Sequence, residues 1–322
     1  MRLAMAVLVT GFFLAPWGPD ALAQIAPGKP VRIVVAFATG GPTDILARVL
    51  AQKLNEGLGV PVVVENRSGA GGNVGAEAVA RSAADGQTLL LATISFVINP
   101  SLYARVGYDP VKDFAPITLV SSTPYLVLVH PSVPARTVKE LIALAKAKPG
   151  QLNYSSSGNG TAAHLAGVLF NNAAAVNVTH IPYNGAAPAM TALLSGEVSL
   201  LFNNPITALP HARSGKARVL AVTSAKRSAA APEIPTLAEA GVPGVEVGSW
   251  SALLAPAGTP GENIMRLHNE IKRIVGTAEV RARLVAEGAE PIGAGPDELA
   301  AFIKTELPKW AKVVAQSRAR ID

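Results

Sequence analysis

Apolar residues follow two different spacings along this chain, and the switches between them lay out its elements. Residues 31–36 are near-continuously apolar and β-branched, which predicts a strand buried on both faces. Ile45, Leu46, Val49, Leu50 and Leu54 then recur at helical spacing, so a helix begins near Pro42. Further strands are predicted over 60–64 and 88–92, with a helix from the glycine turn at 68–75 through Arg81. Residues 99–116 are rich in turn formers and read as irregular chain. Two extended runs follow, 117–120 and 125–129, split by Ser121-Ser122-Thr123-Pro124. Thr137 and Glu140 have capping-box spacing for a helix that ends at Lys148 before Pro149-Gly150.

A second alternating series comes next, with strands at 152–155, 176–181, 198–202 and 218–222 and helices through Phe170 and through Leu194. Residues 224–248, rich in Ala, Pro and Gly, read as a crossing back to the first series. There 250–255 form a last strand, and 261–276, 278–287 and 296–316 are helical, with a kink at Pro308. Strands alternating with helices predict α/β architecture with parallel, doubly wound sheets. One series inserted in the other predicts two doubly wound lobes joined by a hinge: 24–124 with 225–322 as lobe 1, and 125–224 as lobe 2.

The N-terminus changes this picture only by subtraction. Arg2, the apolar run 3–14 and Ala21-Leu22-Ala23 form a charged segment, a hydrophobic segment and a small-x-small cleavage site. The run is short for a membrane span, so residues 1–23 read as an export signal cut after Ala23. The absence of cysteine excludes disulfides, thiolate metal sites and cysteine nucleophiles. A net charge of +6, with basic residues not interleaved with stacking aromatics, argues against nucleic acid.

Candidate chemistry sits in two loops, each of which follows a strand and opens a helix. The first contains Thr39, Gly40, Gly41, Thr43 and Asp44; the second contains Ser156, Ser157, Gly158, Gly160 and Thr161. Helix N-termini present free N–H groups and a positive dipole end, and glycine leaves those groups uncovered. If the lobes face each other, both loops point into one cleft and could hold a carboxylate without arginine. His164, one turn beyond Thr161, could line that cleft, and Asn203 and Asn204 end a strand facing it. Residues 69–75 approach a dinucleotide fingerprint but miss its spacing by one and follow the second strand, so they read as a tight turn. The five histidines show no metal-ligand spacing, and there is no nucleophile-elbow pattern.

Together these segments resemble the Bug family, the TctC-type substrate-binding proteins of tripartite tricarboxylate transporters. The opening stretch 29–44 looks like that family's signature. The stretches 65–73, 108–117, 155–161, 180–186 and 235–241 match it along the rest of the mature chain. The resemblance implies a type II periplasmic binding protein, or Venus-flytrap, fold. It implies a clamp from Phe37, Ala38, Thr39, Gly40, Gly41, Thr43 and Asp44 in one lobe and from Ser156 to Thr161 in the other. Tyr183 and Asn203 would approach the ligand's far side, and Ser95 and His164 complete the expected ligand shell. Delivery to membrane permease subunits follows, with no cofactor, no metal, no catalytic residue, and a monomer as the expected state. The chain departs from the family in carrying Thr39 where proline is usual and Asn203 where many carry aspartate, which weakens any claim for an amine-bearing ligand. Two other readings stay open: a sensory receptor partner, and a secreted hydrolase that uses Asp44 and His164.

Overall fold

The structure is a computed structural model that describes residues 29–37, 39–183, 186–228, 231–286, 288–317 and 319–320. The leader expectation lies outside those residues. The chain opens as β1 (Val31–Val35), α1 (Pro42–Leu58), β2 (Val62–Asn66), α2 (Asn73–Ala80), β3 (Thr88–Thr93), α3 (Ser95–Leu102) and β4 (Phe114–Pro124). It crosses into β5 (Leu126–Val129), α4 (Val138–Ala147), β6 (Asn153–Ser156), α5 (Ala162–Ala174), β7 (Thr179–Pro182), α6 (Ala186–Leu194), β8 (Leu200–Asn203), α7 (Pro205–Arg213) and β9 (Arg218–Val222). It returns through β10 (Gly248–Pro256), α8 (Gly261–Gly276), α9 (Ala278–Ala286), β11 (Glu290–Ala294) and α10 (Pro296–Ser317).

These strands form a six-stranded sheet, β11-β4-β10-β3-β1-β2, and a five-stranded sheet, β7-β6-β8-β5-β9. β1 shows why an unbroken apolar run was needed. Val31, Ile33 and Val35 pack with Leu46, Leu50 and Leu54 of α1 on one face, while Val34 joins a different core on the other.

The sheets are mixed rather than purely parallel. β5 runs antiparallel to both β8 and β9, and β10 runs antiparallel to both β3 and β4. The reason is topological. β4 ends at the cleft edge of the first sheet, so the chain enters the second sheet from its own cleft edge and must run against strands whose carboxyl ends face that edge. β9 leaves and β10 enters by the same logic.

The two crossings are tied to each other. Tyr125 N–H donates to the Thr223 hydroxyl at 2.8 Å, Thr223 N–H donates to the Tyr125 carbonyl, and the Thr223 hydroxyl donates to the Val247 carbonyl.

The structure corrects several other expectations. Residues 114–124 form one continuous strand through the serines. α7 and β11 were not anticipated. Most consequential is α3, which occupies part of the segment read as irregular. Proline at position 100 cannot donate to the Phe96 carbonyl one turn back, and the Tyr108 hydroxyl donates to that carbonyl instead at 3.2 Å. The helix therefore survives its internal proline.

Candidate functional site

The first loop joins β1 to α1. Pro42 occupies the start of the helix, where a missing N–H costs nothing, and Gly40 takes φ +85°, a left-handed conformation natural to glycine. Asp44 holds the loop from behind. Its carboxylate accepts from Gly40 N–H at 2.9 Å, from Arg48 at 3.0 and 3.1 Å, and from the Asn66 amide at 3.0 Å. The Arg48 guanidinium first, then the Gly40 N–H and the Asn66 amide, hold its carboxyl down to about 2, against the opposing effect of burial. Asn66 also donates to the Phe37 carbonyl at 3.1 Å, so the end of β2 sets the position of Phe37.

The second loop joins β6 to α5 and is braced in the same manner. Thr161 caps α5 through its hydroxyl, which also donates to the Gly158 carbonyl at 2.8 Å. The Ser156 hydroxyl bonds the Gly158 carbonyl at 2.9 Å and meets His180 Nε2 at 2.6 Å. His164 Nδ1 accepts from Gly160 N–H at 2.9 Å. The two imidazoles stack with centroids 3.9 Å apart.

Burial lowers both rings to about 4, helped at His180 by the neighbouring His164. The fold therefore refuses protons that the unfolded chain takes up below its ordinary value near 6.5. Stability carried by the pair is fully present above about pH 6.5 and is lost as pH falls toward 4. Melting temperature is expected to rise with pH across that window. His164→Asn, which keeps an acceptor for Gly160 without a titrating ring, should flatten the rise in a calorimetric pH series. An unchanged slope would remove His164 from this role.

Between the loops lies a cavity of about 380 Å³, lined from the first loop by Phe37, Gly41, Pro42 and Thr43 and from the second by Ser157, Asn159, Gly160 and Thr161. α3 supplies a third wall through Ser95, Ile98, Asn99 and Leu102, which lie at i, i+3, i+4 and i+7 on one helix face. Tyr125, at the first crossing, and Ser249, at the start of β10, also line it. No charged side chain among the described residues lines this cavity. Among the described residues the main-chain N–H groups of Thr43, Ser157 and Asn159 carry no hydrogen bond. Burial raises the Tyr125 phenol to about 12 and also raises Tyr103, so both keep their protons as donors.

The cavity thus gathers Phe37, Gly41, Thr43, Ser95, Ser157, Gly160 and Thr161 from the expected site. The other expected residues stand elsewhere. Thr39 and Gly40 are exposed beside the cavity, and Ala38 lies outside the described residues. Asp44, Ser156, Gly158 and His164 shape the loops from behind because their polar atoms are consumed inside the protein. The Tyr183 hydroxyl is bound to Glu197 at 2.8 Å. Asn203 is buried off the cavity, its Oδ1 accepting from Asn204 N–H at 2.8 Å. Asp44 and His164 do not pair: the carboxylate is engaged by Arg48, Gly40 and Asn66, and His164 Nδ1 accepts from Gly160 N–H. Sequence reasoning named Ser95 but missed Ile98, Asn99 and Leu102 beside it on α3; their i, i+3, i+4, i+7 stripe was the signal, hidden by the turn-forming residues around it. Among the described residues there is no cluster of three or more His, Asp or Glu able to hold a metal ion.

Residues 46–318 match the family model described as "Tripartite tricarboxylate transporter family receptor". The chain belongs to this family. It is 38% identical to Protein BugT of Bordetella pertussis over the full length of both chains. The fold is that of solved relatives. One is an R. palustris protein with adipate (38% identity, TM-score 0.82, covering 92% of this chain and 99% of that one). Another is the periplasmic binding protein BugD (38% identity, TM-score 0.78, 92% and 99%). A third is MatC of Rhodopseudomonas palustris with bound malate (33% identity, TM-score 0.77, 90% and 100%). The family places this chain among solute-binding receptors rather than enzymes. The two-lobed periplasmic-binding-protein fold expected from the sequence is confirmed.

Proposed function

We propose that this protein is a periplasmic receptor that captures a small carboxylate between two lobes and hands it to a tripartite tricarboxylate-type permease. The lobes are residues 24–124 with 225–322, and residues 125–224, and the leader is cut after Ala23. The observation that carries the reading is the cavity itself: unbonded amides from two helix starts converge there with hydroxyl donors and no charged side chain. Hydrogen bonds to a charged acceptor contribute about 1.5–3 kcal/mol each. A few of them plus apolar contact reach the roughly 8 kcal/mol of a micromolar ligand. That relatives were solved with adipate and with malate supports the same ligand class.

Titration calorimetry against di- and tricarboxylates and aromatic acids tests the reading, with native mass spectrometry of the purified protein to identify any retained acid. At least one acid is expected to bind near micromolar affinity. Ser157→Asp, which sets a like charge beside the free amides, is expected to lower that affinity at least a hundredfold, about 2.7 kcal/mol, with an unchanged melting temperature. Equal affinity in the variant would place the acid elsewhere. Small-angle scattering should show a smaller radius with saturating acid, as the lobes close about the crossings at Tyr125 and Thr223.

A further inference from the structure

One contact crosses the cavity without passing through the hinge. Leu102, the last residue of α3, reaches over to Gly160 in the second loop, and it lines the cavity at 3% exposure. Gly160 has φ +73°, and a Cβ built there would overlap both Leu102 Cδ atoms. An isobutyl group from one lobe is thus seated in the gap left by a missing side chain in the other. The same helix face carries Ile98 and begins at Ser95, about 10 Å away along the axis at 1.5 Å per residue.

We propose that Leu102, seated on Gly160, is a specificity-determining residue: it forms an apolar end wall that sets the length of the acid admitted. This rests on the carboxylate reading above and goes beyond it by assigning the selecting residue. Two physical points carry it. An apolar wall gives no donor to a second carboxylate placed against it, so a charged end there loses water without compensation. A ligand long enough to displace Leu102 also lifts it off Gly160, and the lobes then stay apart, so length is read as failure to close. Thr43 and Ser157, whose amides carry no hydrogen bond, hold the acid group in the same cavity.

The test is calorimetry with the straight-chain dicarboxylates from succinate to sebacate on wild type, Leu102→Ala, Leu102→Val, Gly160→Ala and the double variant Leu102→Ala/Gly160→Ala. Removing side-chain bulk from a pocket wall shifts discrimination by roughly tenfold or more. Leu102→Ala is therefore expected to raise the ratio of long-acid to short-acid affinity about tenfold, and Leu102→Val, which disturbs the core less, by a smaller factor in the same direction. Gly160→Ala alone is expected to weaken every acid. In the Leu102→Ala background it should cost at least tenfold less, because only the left-handed backbone strain is left.

A merely structural role predicts that all acids weaken together and the length ratio stays fixed. That result, or equal losses from Gly160→Ala in both backgrounds, overturns the assignment while leaving the carboxylate reading intact. If wild type binds no acid in the series or in the wider panel, the carboxylate reading falls, and this assignment with it.

Discussion

Asp44→Ala is expected to weaken ligand binding at least tenfold and to lower the melting temperature by several degrees, although Asp44 never reaches the cavity. The carboxylate is 2% exposed and joins the loop after β1, the first turns of α1 and the end of β2. Truncation strands the Gly40 N–H and part of the Asn66 amide. Losing hydrogen bonds to a buried charged group costs about 1.5–3 kcal/mol each, and each kcal/mol moves the midpoint of a chain this size by about 2 °C. The binding loss follows from geometry: Asn66 positions Phe37, and Phe37 forms part of the cavity wall. Asp44→Asn keeps an acceptor for Gly40 and is expected to fall between the two. The sign with pH also follows. A carboxylate held near 2 contributes fully above about pH 4, and that contribution is lost as pH falls from there toward 2. Thermal unfolding of ligand-free protein separates the roles. A residue that fastens the loop lowers the midpoint without ligand, whereas a ligand contact lowers affinity alone. An unchanged midpoint in Asp44→Ala would reverse the assignment.

Both cavity-lining loops were legible because their signals are local: a β-branched run, a glycine pair and a proline at a helix start, or a Ser-Ser-Ser-Gly run before a threonine cap. The partner of Asp44 was equally local, since Arg48 stands one helical turn on, yet the aspartate read as a ligand contact because nothing in the sequence places Asn66 beside it. α3 was lost for a different reason. Asn99 and Pro100 are breakers by propensity, and what rescues the helix is the hydroxyl of Tyr108, held by packing against Phe96 at 5.3 Å between ring centroids. Tertiary structure overrode a local rule there, and it did so on the wall of the cavity. The reversed directions of β5 and β10 were likewise beyond any local pattern. Strand direction in a two-lobed chain depends on which edge the chain enters by.

Trp310→Ala is expected to cost about 3–5 kcal/mol, the range for deleting a fully buried large aromatic side chain, and to change the character of unfolding as well as its midpoint. Trp310 is 0% exposed, and its indole N–H donates to Glu306 at 2.7 Å. Around it the apolar core is continuous: residues of the first sheet such as Val34 and Leu90 belong to one cluster with Tyr154 and Phe202 of the second and Phe170 of α5, and Trp310, Val313 and Val314 of α10 are part of it. The helix also ties to α5 directly, where the Asn172 amide donates to Gln316 at 3.1 Å. α10 therefore packs on the first sheet yet reaches α5 beside the second, and it supplies cohesion that the crossings alone do not. Shared core makes two lobes unfold as one cooperative unit. Removing its largest fully buried side chain weakens the coupling between lobes more than either lobe. Urea titration followed by far-UV dichroism should show a single transition in wild type and a lower, broadened or biphasic one in Trp310→Ala. Trp310→Phe keeps most of the volume and loses only the bond to Glu306, so it should remain a single transition displaced by about 1–3 kcal/mol. A loss below about 1 kcal/mol in Trp310→Ala, with cooperativity intact, would mean that the lobes are held together by the crossings and that α10 only covers them.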